Sequence, residues 1–304
     1  MIKISTHPAG EKVYEVLKEL FNNGAVYLSP HQHLSFVCGK KSGESGSLRT
    51  NFIDFLNANP NLHSILPIVA EQAIDEFLSS DETHQAKPDL GEFEHLIGDC
   101  VDSILIFPES PGSFAELGFF AGLEKIRNKT LVVNQNVFQR NSFINLGIIP
   151  LYNTNSTYNP MLVIGGNTDL DFGNIIERLQ LKKGARIYRK RFSFETFDKL
   201  SNKNQLIVLH ELIRAFGFIT EQNLFDGIHI IFKKYDLTKI KRLLAILVAM
   251  KFVSRNDNGD YLISKGAPPL LEYDDDSFDK AQVSTLNFYQ TNDPEALMII
   301  EKIQ

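Results

Sequence analysis

The chain has 304 residues, 43% of them hydrophobic and 22% charged, with a formal net charge of −6. That is long enough for two domains with separate cores, and the composition is that of a globular protein rather than a disordered or fibrous one. No apolar run approaches the roughly 18–20 residues of a membrane-crossing helix, and the opening Met1–Pro8 lacks the apolar core of a secretory leader.

In chain order, Glu11–Phe21 reads as an amphipathic helix, with Val13, Val16, Leu17, Leu20 and Phe21 on one face. Leu34–Cys38 is a first buried strand, followed by the glycine-rich loop Gly39–Ser47 and a helix from Leu48 to Asn57. Ser64–Val69 and Glu71–Leu78 form the next strand and helix, and a further helix runs from Gly91 to Cys100. Ser103–Phe107 is a short apolar strand, and a turn containing Pro108, Pro111 and Gly112 leads to a helix expected over Ser113–Lys125. Strands at Thr130–Asn134 and Leu162–Ile164 and a helix at Gly173–Leu181 complete a strand–helix alternation. This alternation predicts an α/β domain with a doubly wound parallel sheet of the flavodoxin or Rossmann kind.

The pattern changes near Lys183. Three helices, Gln205–Phe216, Thr220–Ile230 and Leu237–Lys251, precede two short strands joined by the turn Asn256–Gly259. That order predicts a mainly α winged helix-turn-helix domain. Lys233, Lys234, Lys239, Lys241, Arg242 and Arg255 would be its phosphate contacts. Residues 186–265 are a basic island between acidic segments, which suits nucleic acid but also an ordinary solvated surface. Asp257 and Asp260 in the wing would repel a phosphate backbone, and many winged helices bind proteins instead. The expected organisation is a helical extension at 1–33, the α/β domain at 34–183, the winged helix at 184–270 and an acidic tail at 271–304, flexible or lying on a basic surface. Cys38 and Cys100 lack metal-ligand spacing, so buried thiols in a reducing cytoplasm are expected, with no metal.

The chemistry concentrates in Ile104–Gly122. A carboxylate, Glu116, one turn into a helix that follows a strand lies where open α/β sheets place their ligands, and the helix start favours anions there. Ser113-x-x-Glu116 is equally the spacing of a capping box. Beside it stand Asp102 at the start of the strand, and Glu94 and Asp99 on the preceding helix. The Gly39 loop matches neither a Walker A loop nor a dinucleotide fingerprint, yet its amides, with Lys40, Lys41 and Arg49, could approach a phosphate or ribose. Carboxylates without a metal cluster suit attack at an anomeric carbon, one acid capturing an oxocarbenium-like centre while another helps the base depart.

The segment Asp102-Ser-Ile-Leu-Ile-Phe-Pro-Glu-Ser-Pro-Gly-Ser-Phe-Ala-Glu-Leu-Gly118 resembles the active-site segment of nucleoside 2-deoxyribosyltransferase-like proteins. It is most similar to the effectors encoded in retron anti-phage systems, which join such a domain to a C-terminal winged helix. Phe36-Val-Cys-Gly39 and Asn141–Gly147 add to the resemblance. It implies that Glu116 is a nucleophile forming a ribosyl–enzyme ester, that Asp102 and neighbouring acids such as Glu94 engage the nucleobase, and that Cys38, Gly39 and Lys40 line the sugar or phosphate pocket. Pro108, Ser110, Gly112, Ser113 and Asn145 would border the same pocket. It further implies a toxin restrained by a reverse transcriptase with its RNA-linked DNA (msDNA), and a homo-oligomer. Cleavage of a nucleotide such as NAD+, as substrate rather than cofactor, would explain the toxicity. The Pro-Gly-Ser-x-x-Glu turn also resembles that of phosphoribohydrolase-related domains, which leaves a nucleotide-sensing DNA-binding regulator as the alternative.

Overall fold

A computed structural model describes residues 2–22, 26–41, 46–62, 64–80, 89–136, 142–165, 168–180, 190–193, 195–273 and 276–302. In chain order these form α1 (Pro8–Asn22), β1 (Val26–Leu28), β2 (His33–Cys38), α2 (Leu48–Ala58), β3 (Ile65–Ile68), α3 (Ala70–Ser80), α4 (Leu90–Cys100) and β4 (Ser103–Ile106). Then come α5 (Pro111–Ala121), α6 (Glu124–Arg127), β5 (Thr130–Gln135), a π-helical turn (Ile144–Ile148), α7 (Ile149–Asn155), β6 (Leu162–Ile164) and α8 (Thr168–Gln180). The remainder is α9 (Asn202–Phe216), β7 (Phe218–Ile219), α10 (Glu221–Phe232), α11 (Leu237–Ala249), β8 (Val253–Arg255), β9 (Tyr261–Ile263), β10 (Leu271–Tyr273), α12 (Ser277–Asn292) and α13 (Pro294–Glu301).

The chain divides into two units. One, His31–Ala70 with Pro88–Tyr188, carries the parallel sheet in the order β3-β2-β4-β5-β6. Counted by the sheet's own strands this is 2-1-3-4-5, the flavodoxin-like order, so the winding reverses between β2 and β4. Both strands are buried along their whole length, as continuous apolar runs in a covered parallel sheet must be. Alternate residues serve opposite faces. Val37, Leu105, Phe107, Leu131 and Val133 meet Phe52 and Leu56 of α2 and Phe172 and Ile175 of α8. On the other face Phe36 meets Phe120 of α5 edge-on, with ring centroids 6.0 Å apart. Each such buried side chain contributes about 1.5–3 kcal/mol, which fixes the register of strands against helices.

The second unit gathers Met1–Pro30, Glu71–Lys87 and Arg189–Gln304. Its centre is α9, buried at every position from Gln205 to Ile213. Around it run α10, α11 and the antiparallel sheet β7-β9-β8, an order of helix, strand, helix, helix and hairpin. The C-terminal segment, expected as an acidic tail that is flexible or lies on a basic surface, forms β10, α12 and α13. β10 pairs antiparallel with β1, Thr285 of α12 donates to the Ala215 carbonyl at 2.7 Å, and Tyr289 donates to the Phe218 carbonyl at 2.6 Å. Apolar Phe278, Ala281 and Phe288 are buried along α12, a stripe that the acidic composition hides. Asp274 and Asp275 lie outside the described residues, while Asp276 pairs with Lys280 at 2.7 Å.

Candidate active site

At the carboxyl edge of the sheet two segments meet at the switch point. Gly39 and Lys40 follow β2, and Phe107–Ser110 follow β4, the Phe107 N–H donating to the Cys38 carbonyl at 3.0 Å. Residues 42–45 of the glycine loop lie outside the described residues. α5 begins at Pro111, two residues before the expected Ser113, because proline's fixed φ and missing N–H suit the first helical position. Ser110 is the N-cap. Its Oγ accepts the Ser113 N–H at 3.2 Å, and the Ser113 Oγ accepts the N–H groups of Ser110 at 2.9 Å and Glu109 at 3.0 Å.

This corrects the spacing argument for Ser113 and Glu116. The capping box is Ser110 with Ser113, and Glu116 falls in the second turn with no part in it. Glu116 borders the buried stripe of Ser113, Leu117 and Phe120; it is half-buried, with its Oε2 shielded from solvent. Tyr152 of α7 steadies this stretch by donating to the Leu117 carbonyl at 2.7 Å, and burial, with the nearby Cys38, pushes its phenol well above the ordinary range.

Asn145 and Gly112 share this edge. Asn145, in the π-helical turn, accepts from Asn134 Nδ2 at 3.1 Å at the end of β5. Glu94 is half-buried in the second turn of α4, which Asp89 caps through the Gly91 and Glu92 amides. Gly112 is exposed at the start of α5. Cys38 and Pro108 are buried, as is Cys100, so Cys38 and Pro108 line the edge through backbone and packing.

Asp102 is elsewhere. It precedes β4 at the amino edge, and its Oδ2 accepts the Leu34 N–H at 3.0 Å while its own N–H donates to the Leu34 carbonyl at 2.9 Å. The length of β4 separates it from the turn before Glu116, about 15 Å at a strand's rise. Around it Ser103 bridges His33 and Ser35 in a buried hydrogen-bond chain, a means of joining strand starts rather than of handling a base. Asp102, which the family resemblance would set against the nucleobase, therefore stands at the opposite end of β4 from the turn before Glu116.

Glu109 escaped the sequence reading. Its carboxylate accepts the backbone N–H groups of Lys40, Leu48 and Arg49, drawing the first loop, the start of α2 and the β4–α5 turn together. A visible acid inside Pro-Glu-Ser-Pro was the only signal. Arg49, one of the bases expected to neutralise charge beside the Gly39 loop, is buried with 2% of its area exposed.

A family model described as STM3845 retron effector protein matches residues 45–255, spanning α2 to β8 with Glu109 and Glu116 inside. The chain belongs to this retron effector family. It is 28% identical over 287 residues to the Escherichia coli protein named "Retron Ec73 putative ribosyltransferase/DNA-binding protein", covering 88% of each chain. It is 33% identical over 117 residues to the Escherichia coli "Retron Ec86 putative ribosyltransferase/DNA-binding protein", covering 38% of this chain and 36% of that one.

In this retron effector the six basic residues expected to contact nucleic acid lie in the α10–α11 turn, on α11 and in the hairpin. Lys233 and Lys234 are exposed in the α10–α11 turn, Lys233 with φ +65°. Lys239 is half-buried in the first turn of α11. Lys241 pairs with Glu221 at 4.0 Å, and the Arg242 guanidinium lies 5.9 Å from the centroid of Phe77 on α3. Arg255 stays within the hairpin, over Tyr261 and donating to the Gly259 carbonyl at 3.3 Å. Burial, with the carboxylates of Glu221, Glu76 and Asp260 nearby, pushes the Tyr261 phenol well up. Acids thus share the face of α11 and the hairpin with the bases. No described helix is long and apolar enough to cross a membrane, and no group of three or more metal-ligating side chains comes together among the described residues.

Proposed function

We propose that this retron effector cleaves an N-glycosidic bond with Glu116 as nucleophile. The Glu116 carboxylate attacks C1′ of the ribosyl group as the C–N bond breaks, and the bonding electrons leave with the base. Water then hydrolyses the glycosyl ester, returning the carboxylate and releasing the sugar with retained configuration. The observation that carries the reading is the Ser110–Ser113 cap, which relieves Glu116 of a structural duty at the helix start. The position of Asp102 favours a base that needs no protonation. Nicotinamide leaves NAD+ as a neutral molecule, so NAD+ suits a nucleophile from which Asp102 stands apart, and Glu94 would serve bases that require a proton. The test is release of free nicotinamide from NAD+ by the purified effector. Release by the Glu116→Gln variant at the parent rate overturns the assignment.

The helix, strand, helix, helix and hairpin order of α9–β9 is that of a winged helix. We read it as the module that engages the retron's msDNA and reverse transcriptase, which would hold the toxin in check in the cytoplasm, with a homo-oligomer as the working form. The alternative, a nucleotide-sensing regulator, requires sequence-specific duplex binding and no base release.

A further inference from the structure

In doubly wound sheets the phosphate of a ligand sits at the switch point, on the amides that open the first helix. Here those amides belong to Leu48 and Arg49 at the start of α2, an eleven-residue helix, and they are occupied. The Glu109 Oε2 accepts from Leu48 N–H at 2.9 Å, and its Oε1 accepts from Lys40 N–H at 2.9 Å and Arg49 N–H at 3.3 Å. The remaining cap donor, Thr50 N–H, goes to the Ser47 Oγ at 3.1 Å. Gly39 leaves room for this arrangement: a Cβ there would lie 2.9 Å from the Glu109 Oε1 and 2.8 Å from the Arg49 Cβ. The other helix start at this point, that of α5, is closed by Ser110.

We infer that Glu109 is a tethered occupant of the phosphate seat and thereby sets the substrate class. The substrate end that reaches Glu116 is an N-ribosyl group with no phosphate on the α2 amides, and any phosphates, as in NAD+, lie away from them. This rests on the Glu116 reading for the site's location, although the seat itself is defined by the chain alone. Three charge-assisted hydrogen bonds hold the carboxylate, and its tether gives it a high effective concentration that a dissolved or substrate phosphate must overcome. Its charge also repels a second anion. The same contacts make Glu109 the brace that sets the Gly39–Lys40 segment against the turn before Glu116.

The experiment measures melting temperature against inorganic phosphate, with sodium chloride at matched ionic strength, for the parent, Glu109→Ala and Glu109→Gln. Emptying the seat leaves three unsatisfied amides, so Glu109→Ala should melt lower than the parent. It should then regain stability with the logarithm of phosphate concentration, as ligand linkage requires. Acetate should act similarly, and the parent should respond to neither beyond the chloride control. If Glu109→Ala is too unstable to purify, Glu109→Gln, which keeps the volume but not the charge, is read the same way. Equal phosphate responses in parent and variants overturn the inference, as does a variant that gains none. The Glu116→Gln effector is run beside them and should match the parent. Loss or persistence of base release in that variant decides the nucleophile and leaves the phosphate result untouched.

Discussion

Ser110 and Ser113 cap α5 reciprocally, each side-chain oxygen accepting the other's backbone N–H, at 3.2 and 2.9 Å. Because the pair closes the helix by itself, stability and chemistry separate at this turn. Ser110→Ala should cost about 0.5–2 kcal/mol, the value of an N-cap side chain, seen as a lowered denaturant midpoint. Glu116→Gln should leave that midpoint near the parent's while base release falls by about a thousandfold or more.

Asp102→Asn should show the opposite separation. The Asp102 carboxylate serves the Leu34 N–H at the amino edge, and a hydrogen bond to a charged group contributes about 1.5–3 kcal/mol. Part of that is lost as lower stability, with base release per folded molecule close to the parent's. A thousandfold loss of turnover in a fully folded Asp102→Asn protein would return that residue to the reaction.

His210 makes the helical unit acid-sensitive. Its ring is buried, Nε2 donates to the Pro268 carbonyl at 2.9 Å, Nδ1 has no hydrogen-bond partner among the described residues, and burial pushes the pKa down from 6.5 to about 3. The unfolded chain binds this proton more readily, so the contribution to stability is whole above about pH 6.5 and is lost progressively as pH falls toward 3. Unfolding by denaturant at pH 7, 6, 5 and 4 should show a decline that is shallower in His210→Gln.

The basic residues should divide by their surroundings. Lys233→Glu and Lys234→Glu, at exposed positions, should each lower the slope of log affinity for msDNA against log salt by about one. Arg242→Ala removes a cation from the face of Phe77, so a lowered melting temperature should accompany any change in binding. Fluorescence anisotropy across a salt series and a melting curve on the same preparations read both effects.

Periodicity and turn chemistry made most of the fold legible. Alternating apolar strands and 3.6-residue helices placed β2 to β6 within a residue or two, and Leu162–Ile164 at its observed bounds. The helix through 149–155 went unread because its Ile-Pro-Leu-Tyr-Asn-Thr-Asn sequence mixes turn formers with one buried face. The folded end of the chain went unread because the Asp274–Asp276 run and the excess of acidic over basic residues mask the spaced apolar stripe that docks α12.

What the sequence by itself determined was local: strand and helix identity, and a carboxylate near the start of a helix that follows a strand, since these depend on neighbours a few positions apart. Which acids stand together only the tertiary structure decided. Strand order and direction brought Glu109 onto amides some 60 residues earlier in the chain. Side-chain spacing along a strand carries no record of which end its neighbours approach; burial of the sheet's two faces sets that.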